Sequence, residues 1–211
     1  MKKTFVLLVL FVLPIVAYLF FASGVNNFGK LPVLTTDIPE LNFSGRSVRL
    51  QDKITVLGFL GHGVDQKKGN AFNLNQKIYK RFHEFKDFQF VMLVPEGTET
   101  AVSELKEELS ALADIGKWQF VHATDGEIKT VFESLETDLE LQADLGTPYV
   151  FIIDKDRNLR GRDKDEDEGT KYGFNATSVA DLNNKMEDDV KIILAEYRLA
   201  LKKNNANRTT K

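Results

Sequence analysis

Apolar positions along the chain fall into blocks that switch between two periods. Ile54–Leu60 is a continuous apolar run of strand length, the pattern of a central strand buried on both faces. Leu74, Ile78, Phe82 and Phe85 then recur at helical spacing and predict an amphipathic helix over roughly Asn70–Phe85. Phe88–Val94 is the next apolar strand, stopped by Pro95, and Val102, Leu105, Leu109 and Leu112 mark a second helix. Trp118–Val121 is a short strand. Thr124-Asp125-Gly126-Glu127 has capping-box spacing and starts a third helix ending near Leu135. Tyr149–Ile153 and Asn158–Arg160 predict a hairpin turned by Asp154-Lys155-Asp156-Arg157. Upstream, Leu41–Leu50 reads as a hairpin with Ser44-Gly45 at its turn. Downstream, Asp163–Glu168 reads as an acidic surface loop. Ser178 and Asp181 form another capping box, and the last helix places Val179, Leu182, Met186, Val190, Ile193, Tyr197 and Leu201 on one seam. Strand and helix alternate, then an antiparallel pair and a closing helix follow. That order predicts an α/β fold, a mixed sheet flanked by helices.

The N-terminus has a different pattern. Met1-Lys2-Lys3 precedes an uncharged apolar run from Thr4 to Ala22. About 19 residues at ~1.5 Å each span most of a ~30 Å hydrocarbon core. The two lysines favour a cytoplasmic N-terminus, which puts the rest of the chain on the periplasmic or an equivalent side. The expected organisation is an N-terminal transmembrane helix as membrane anchor (1–25) and a linker (26–40). A folded domain closed by an amphipathic helix (41–203) and a polar tail (204–211) follow. A cleaved signal peptide is the competing reading, but Phe20 and Phe21 crowd the positions a cleavage site needs small.

The chain has 211 residues, a net charge of -3 and no cysteine. The charge balance lacks the basic footprint of nucleic-acid binding. Without cysteine there is no disulfide, no thiolate metal site, no thiol catalysis and no lipoprotein anchor.

Two landmarks narrow the fold. The run from Ile54 through Gly69 reads as strand, loop and helix, and Gly146-Thr147-Pro148-Tyr149-Val150-Phe151-Ile152-Ile153-Asp154 as a proline-led strand. Together they resemble a thioredoxin-type fold. Over roughly residues 35–162, and in its apolar N-terminus, the chain resembles the Sco/SenC family, the membrane-anchored thioredoxin-like copper chaperones for cytochrome c oxidase assembly. The resemblance rests on Phe59-Leu60-Gly61, on Thr124-Asp125-Gly126-Glu127 and on Ile152-Ile153-Asp154-Lys155-Asp156. In that family a Cys-x-x-x-Cys loop follows the Phe-x-Gly strand end, a histidine precedes the late strand, and these three side chains hold copper. The matching positions here are Asp65, Gly69 and, for the histidine, the neighbourhood of Gly146. One carboxylate and two glycines lack both the number and the softness of a copper site. No metal, cofactor or catalytic residue is therefore expected.

The resemblance implies a non-enzymatic scaffold or assembly factor at the membrane, with a protein partner and a link to respiratory oxidase biogenesis. The expected contact face is His62, Asp65, Lys67, Thr147 and Pro148. Pro148 sits where such folds carry a proline beside the active site, often cis. Two alternatives stand beside this: a metal-binding or redox-associated protein using His62 and Asp65, and a structural envelope protein that dimerises through its last helix.

Other motifs read more plainly. Gly61-x-Gly63-x-x-x-Lys67-Lys68 is glycine-rich at a helix start but lacks P-loop spacing, and its glycines suggest a flexible, solvated turn. His83 and His122 have no partner at ligand spacing. The acidic stretch from Asp163 has Glu168 where a calcium loop needs its sixth-position glycine, and Phe174 at the twelfth. Asn42-Phe43-Ser44, Asn175-Ala176-Thr177 and Asn207-Arg208-Thr209 match glycosylation sequons.

Overall fold

Ile54–Leu60 forms the central strand and is buried along its whole length. The structure, a computed structural model, describes residues 9–16, 29–43 and 46–208 together with Lys3 and Tyr18. In chain order its elements are β1 (Val33–Thr35), β2 (Leu41–Phe43), β3 (Arg46–Val48), β4 (Ile54–Leu60), α1 (68–82), β5 (Phe88–Pro95), α2 (Glu99–Ser110), β6 (Trp118–Ala123), α3 (Asp125–Glu133), β7 (Gly146–Ile153), β8 (Leu159–Arg160), β9 (Arg162–Asp165), β10 (Gly169–Lys171), β11 (Phe174–Asn175) and α4 (179–208). α1 and α4 each contain a π-turn, at Asn75–Tyr79 and Leu182–Met186.

The main sheet has the order β1-β8-β7-β4-β5-β6, with β11 also on β7. β4, β5 and β6 run parallel, while β7 lies antiparallel to β4. This is the mixed sheet the pattern predicted. The two-residue period sorts side chains to its faces. Ile54, Val56 and Leu60 join Phe88, Phe90 and Met92 under α1, α2 and α4. Leu57 and Phe59 join Val91, Leu93, Phe151 and Ile153 under α3 and the β2–β3 hairpin. Thr124 caps α3 as expected. Its hydroxyl accepts from the Glu127 amide at 3.3 Å, and the Glu127 carboxylate accepts from the Thr124 amide at 2.8 Å.

Three stretches differ from expectation. Leu31 and Ile38 are buried and β1 pairs with β8, so much of the expected linker is built into the domain. Asp163–Glu168 is part of a β9–β10 hairpin rather than a free loop. Its Asp165 is buried because Lys185 Nζ, at 2.6 Å, and Arg162 compensate the carboxylate. Ser178 caps α4, but Asp181 completes no reciprocal box; its carboxylate accepts from the Asn175 amide at 2.7 Å. α4 itself continues to Arg208, past the start of the expected tail.

Ser44-Gly45 and most of the apolar N-terminal run lie outside the described residues. The strands flanking that turn pair as predicted, Leu41 opposite Val48. Residues 9–16 are helical and exposed. Among the described residues no helix is long and apolar enough to cross a membrane.

Candidate functional site

At the C-terminal end of β4 the chain turns through Gly61, whose φ is +66°. A Cβ there would lie 2.3 Å from the Asp144 carbonyl oxygen, so only glycine lets the two segments approach this closely. The His62 amide donates to that same carbonyl at 2.7 Å. Val64 is buried beneath the loop, and a single 3₁₀ turn, Asp65–Lys67, leads into α1. The loop is therefore tied down, contrary to the flexible turn its glycines suggested. Gly61 serves close approach, not freedom.

Lys67 is the centre of the arrangement. It is only 9% exposed, and its Nζ meets Asp144 Oδ2 at 2.5 Å. Asp144 Oδ1 accepts from the Gly146 amide at 3.0 Å. Burial pushes the Asp144 carboxyl up, but Lys67 and the Gly146 and Gly63 amides outweigh it and hold the group below the usual carboxylate range. A Cβ on Gly146 would sit 2.6 Å from both Cε and Nζ of Lys67. The lysine thus fills the space into which a side chain at position 146 would project. The resemblance expected a histidine ligand in the neighbourhood of this position.

The other expected contact residues spread around this plug. His62 is half exposed and leans toward the start of α3, Nε2 to Asp125 Oδ1 at 3.4 Å. Asp65 is exposed on the other side, 3.1 Å from Lys68 Nζ. Lys68 also meets Glu108 at 2.9 Å and knits the loop to α2. The hydrogen bonds it donates to Glu108 and then to Asp65 raise its pKa above the usual lysine value. Thr147 is buried, and its hydroxyl accepts from the Tyr149 amide at 3.3 Å. Pro148 is half-buried, and its carbonyl accepts from Ala176 at 2.8 Å. Its peptide bond is trans, as are all those among the described residues.

The structure therefore joins Lys67 to the segment before Thr147, but it turns His62 and Asp65 to different partners. Lys67 is an internal support and no surface contact. Among the described residues no group of three His, Cys, Asp or Glu side chains is placed to hold a metal. Asp144 was missed by sequence reasoning, because it lies in the unpatterned stretch between α3 and β7.

No known protein-family profile matches the chain, and no curated protein does. Solved structures do. A thiol:disulfide interchange protein of the thioredoxin family from Chlorobium tepidum superposes with a TM-score of 0.50 at 19% identity, covering 77% of this chain and 99% of its own. The fold is thioredoxin-like. The soluble domain of Sco1 from Bacillus subtilis matches with a TM-score of 0.46 at 11% identity, over 77% of this chain and 97% of its own. Copper-bound ScoI from Arabidopsis thaliana matches at 0.44 and 16%, over 70% and 91%. In this thioredoxin-like chain the strand–loop–helix at Gly61–Lys68 and the proline-led β7 adjoin, but no sulfur is present at either.

Proposed function

We propose that this is a membrane-anchored, non-catalytic thioredoxin-like module whose loop end contacts a protein partner. An N-terminal transmembrane helix holds the domain on the periplasmic or equivalent side. The observation that carries the reading is the Lys67–Asp144 pair beside Gly146, which fills the pocket between loop and β7 with the chain's own charges. A cysteine-free chain with that space occupied has lost the means for thiol exchange, while its outer rim remains available. His62, Asp65 and Pro148 are the side chains a partner would meet. The likeness to Sco/SenC motifs supports an assembly role and makes respiratory oxidase components the first partners to seek.

The alternatives have less support. His62 and Asp65 diverge to Asp125 and Lys68, so they form no acid–base or ligand pair. On the last helix Leu182, Met186, Val190 and Ile193 are wholly buried against the chain's own sheet, which leaves that stretch of seam no surface for a second copy.

The test is recovery of the full-length chain from its native membrane in gentle detergent, with mass spectrometry and a haem absorption spectrum of the eluate. Wild type should bring down a defined partner. His62→Glu combined with Asp65→Arg should lose it while staying in the membrane fraction. Equal recovery by the double variant, or recovery of the chain alone, contradicts the proposal.

A further inference from the structure

The apolar layer beneath α1 contains an amide. Ala71, Leu74, Ile78 and Phe82 form the buried stripe of that helix, and Asn75 stands among them with none of its surface exposed. Neither its Nδ2 nor its Oδ1 has a hydrogen-bond partner among the described residues. The indole Nε1 of Trp118, on β6, is buried without a partner among them as well.

Both groups border one side chain. Asn75 opens the π-turn that ends at Tyr79, one helical turn on, and such turns are often kept where a helix serves a site. The Tyr79 ring lies 5.8 Å from the Trp118 ring. Tyr79 itself pairs with neither group, because its hydroxyl sits just before β6 and accepts from the Lys117 amide at 3.0 Å. The rest of the Trp118 surroundings is aromatic, with Phe90 at 4.7 Å and Phe120 at 5.8 Å between ring centres.

Buried polar groups are nearly always paired, and a stranded one is costly. A leucine at position 75 would continue the stripe without that cost. Asn75 and Trp118 together present three N–H donor positions and one carbonyl acceptor. They call for a neutral molecule that both donates and accepts, and the complete burial of Asn75 restricts it to a small one.

We propose that a resident water molecule sits between α1 and β6 beside Tyr79, donating to Asn75 Oδ1 and accepting from Trp118 Nε1. It satisfies both groups and ties the helix that starts at the loop end to the sheet. The site is internal to the domain, so it stands or falls apart from the anchor and the partner.

Trp118 is the chain's only tryptophan, so isotope labelling of the indole in the full-length chain, held in detergent, gives a single Nε1–H resonance. The expected result is a cross-relaxation peak between that proton and water, with the sign of a long-lived bound molecule. Asn75→Leu should abolish the peak, move the indole proton upfield as its acceptor is lost, and shift the tryptophan fluorescence to the blue. Absence of the peak in the unaltered chain overturns the proposal, whether or not the variant folds. A peak that survives Asn75→Leu, or an indole resonance that the substitution leaves in place, overturns it too. Trp118→Phe keeps the ring and removes the donor, and its indole signal must vanish, which confirms the assignment on which the reading depends.

Discussion

The loop end and the α4 flank use the same interaction, the buried ion pair, to different ends. At the loop the pair Lys67 with Asp144 stands where a thioredoxin-like fold would place its chemistry, and Asp144 remains one-third exposed. Along α4 the pairs form a series: Arg160 with Asp154 and Glu196, Arg162 with Asp189, Lys185 with Asp165, and the wholly buried Lys171 with Asp181. The balance of forces differs too. At Asp144 the lysine and two amides outweigh burial and lower the carboxyl pKa; at Asp189 burial outweighs Arg162 and raises it. An apolar seam attracts without direction, so on its own it tolerates sliding. Ion pairs at fixed intervals give α4 one register. The same kind of contact plugs a site at one end and indexes a helix at the other.

The comparison can be broken at several points. Arg160→Met strands Asp154, whose side chain is 2% exposed, and should cost about 3–5 kcal/mol in urea unfolding. A cost near zero would remove the indexing role. At the loop, Gly146→Ala should cost about 1–3 kcal/mol, from contact with Lys67 and with the Leu60 carbonyl. Part of that cost should disappear in a Lys67→Ala background, because the lysine half of the clash is gone. Strict additivity of the two changes would mean that Lys67 does not fill the space.

Acid should separate the two regions. The lowered pKa of Asp144 contributes stability that is present above the ordinary value of 3.8 and is lost as pH falls through its native value. Asp189 works with the opposite sign: its raised pKa lets stability fall as pH rises from 3.8 through its native value. Carbon-detected NMR titration should find Asp144 below 3.8 and Asp189 above it, and Lys67→Met should move Asp144 upward. An unmoved Asp144 would deny the pair its role. The smallest effect is expected at His62. Its contact with Asp125 is solvent-exposed, and His62→Ala should change stability by less than about 0.5 kcal/mol in a thermal melt.

Local pattern was readable in the sequence wherever periodicity and burial coincide. β4 has the predicted bounds because all seven of its residues are buried and its apolar side chains divide between the two cores, and the α3 cap could be read from Thr124 and Glu127 alone. The α4 seam was legible, but its ion pairs were not, since they join residues far apart in the chain. Composition misled at residues 26–40, where glycines, asparagines and prolines masked the buried Leu31 and Ile38. At Asp163–Glu168 charge pointed to solvent correctly for five of the six residues and missed only the buried Asp165, which Lys185 compensates. At the candidate site Lys67 was visible as a loop residue, but its partner was not. Asp144 lies 77 positions away, in a turn where Leu145 adopts φ +64°, a conformation that no sequence signal for leucine announces.

The central claim is that the loop end, and not the α4 flank, meets a partner. A photo-cross-linking side chain placed in turn at His62 and at the exposed Lys191 of α4, in the full-length chain in its native membrane, tests it directly. The account predicts a discrete protein adduct from position 62 and none from position 191. An adduct from position 191 alone, or from neither, would contradict it.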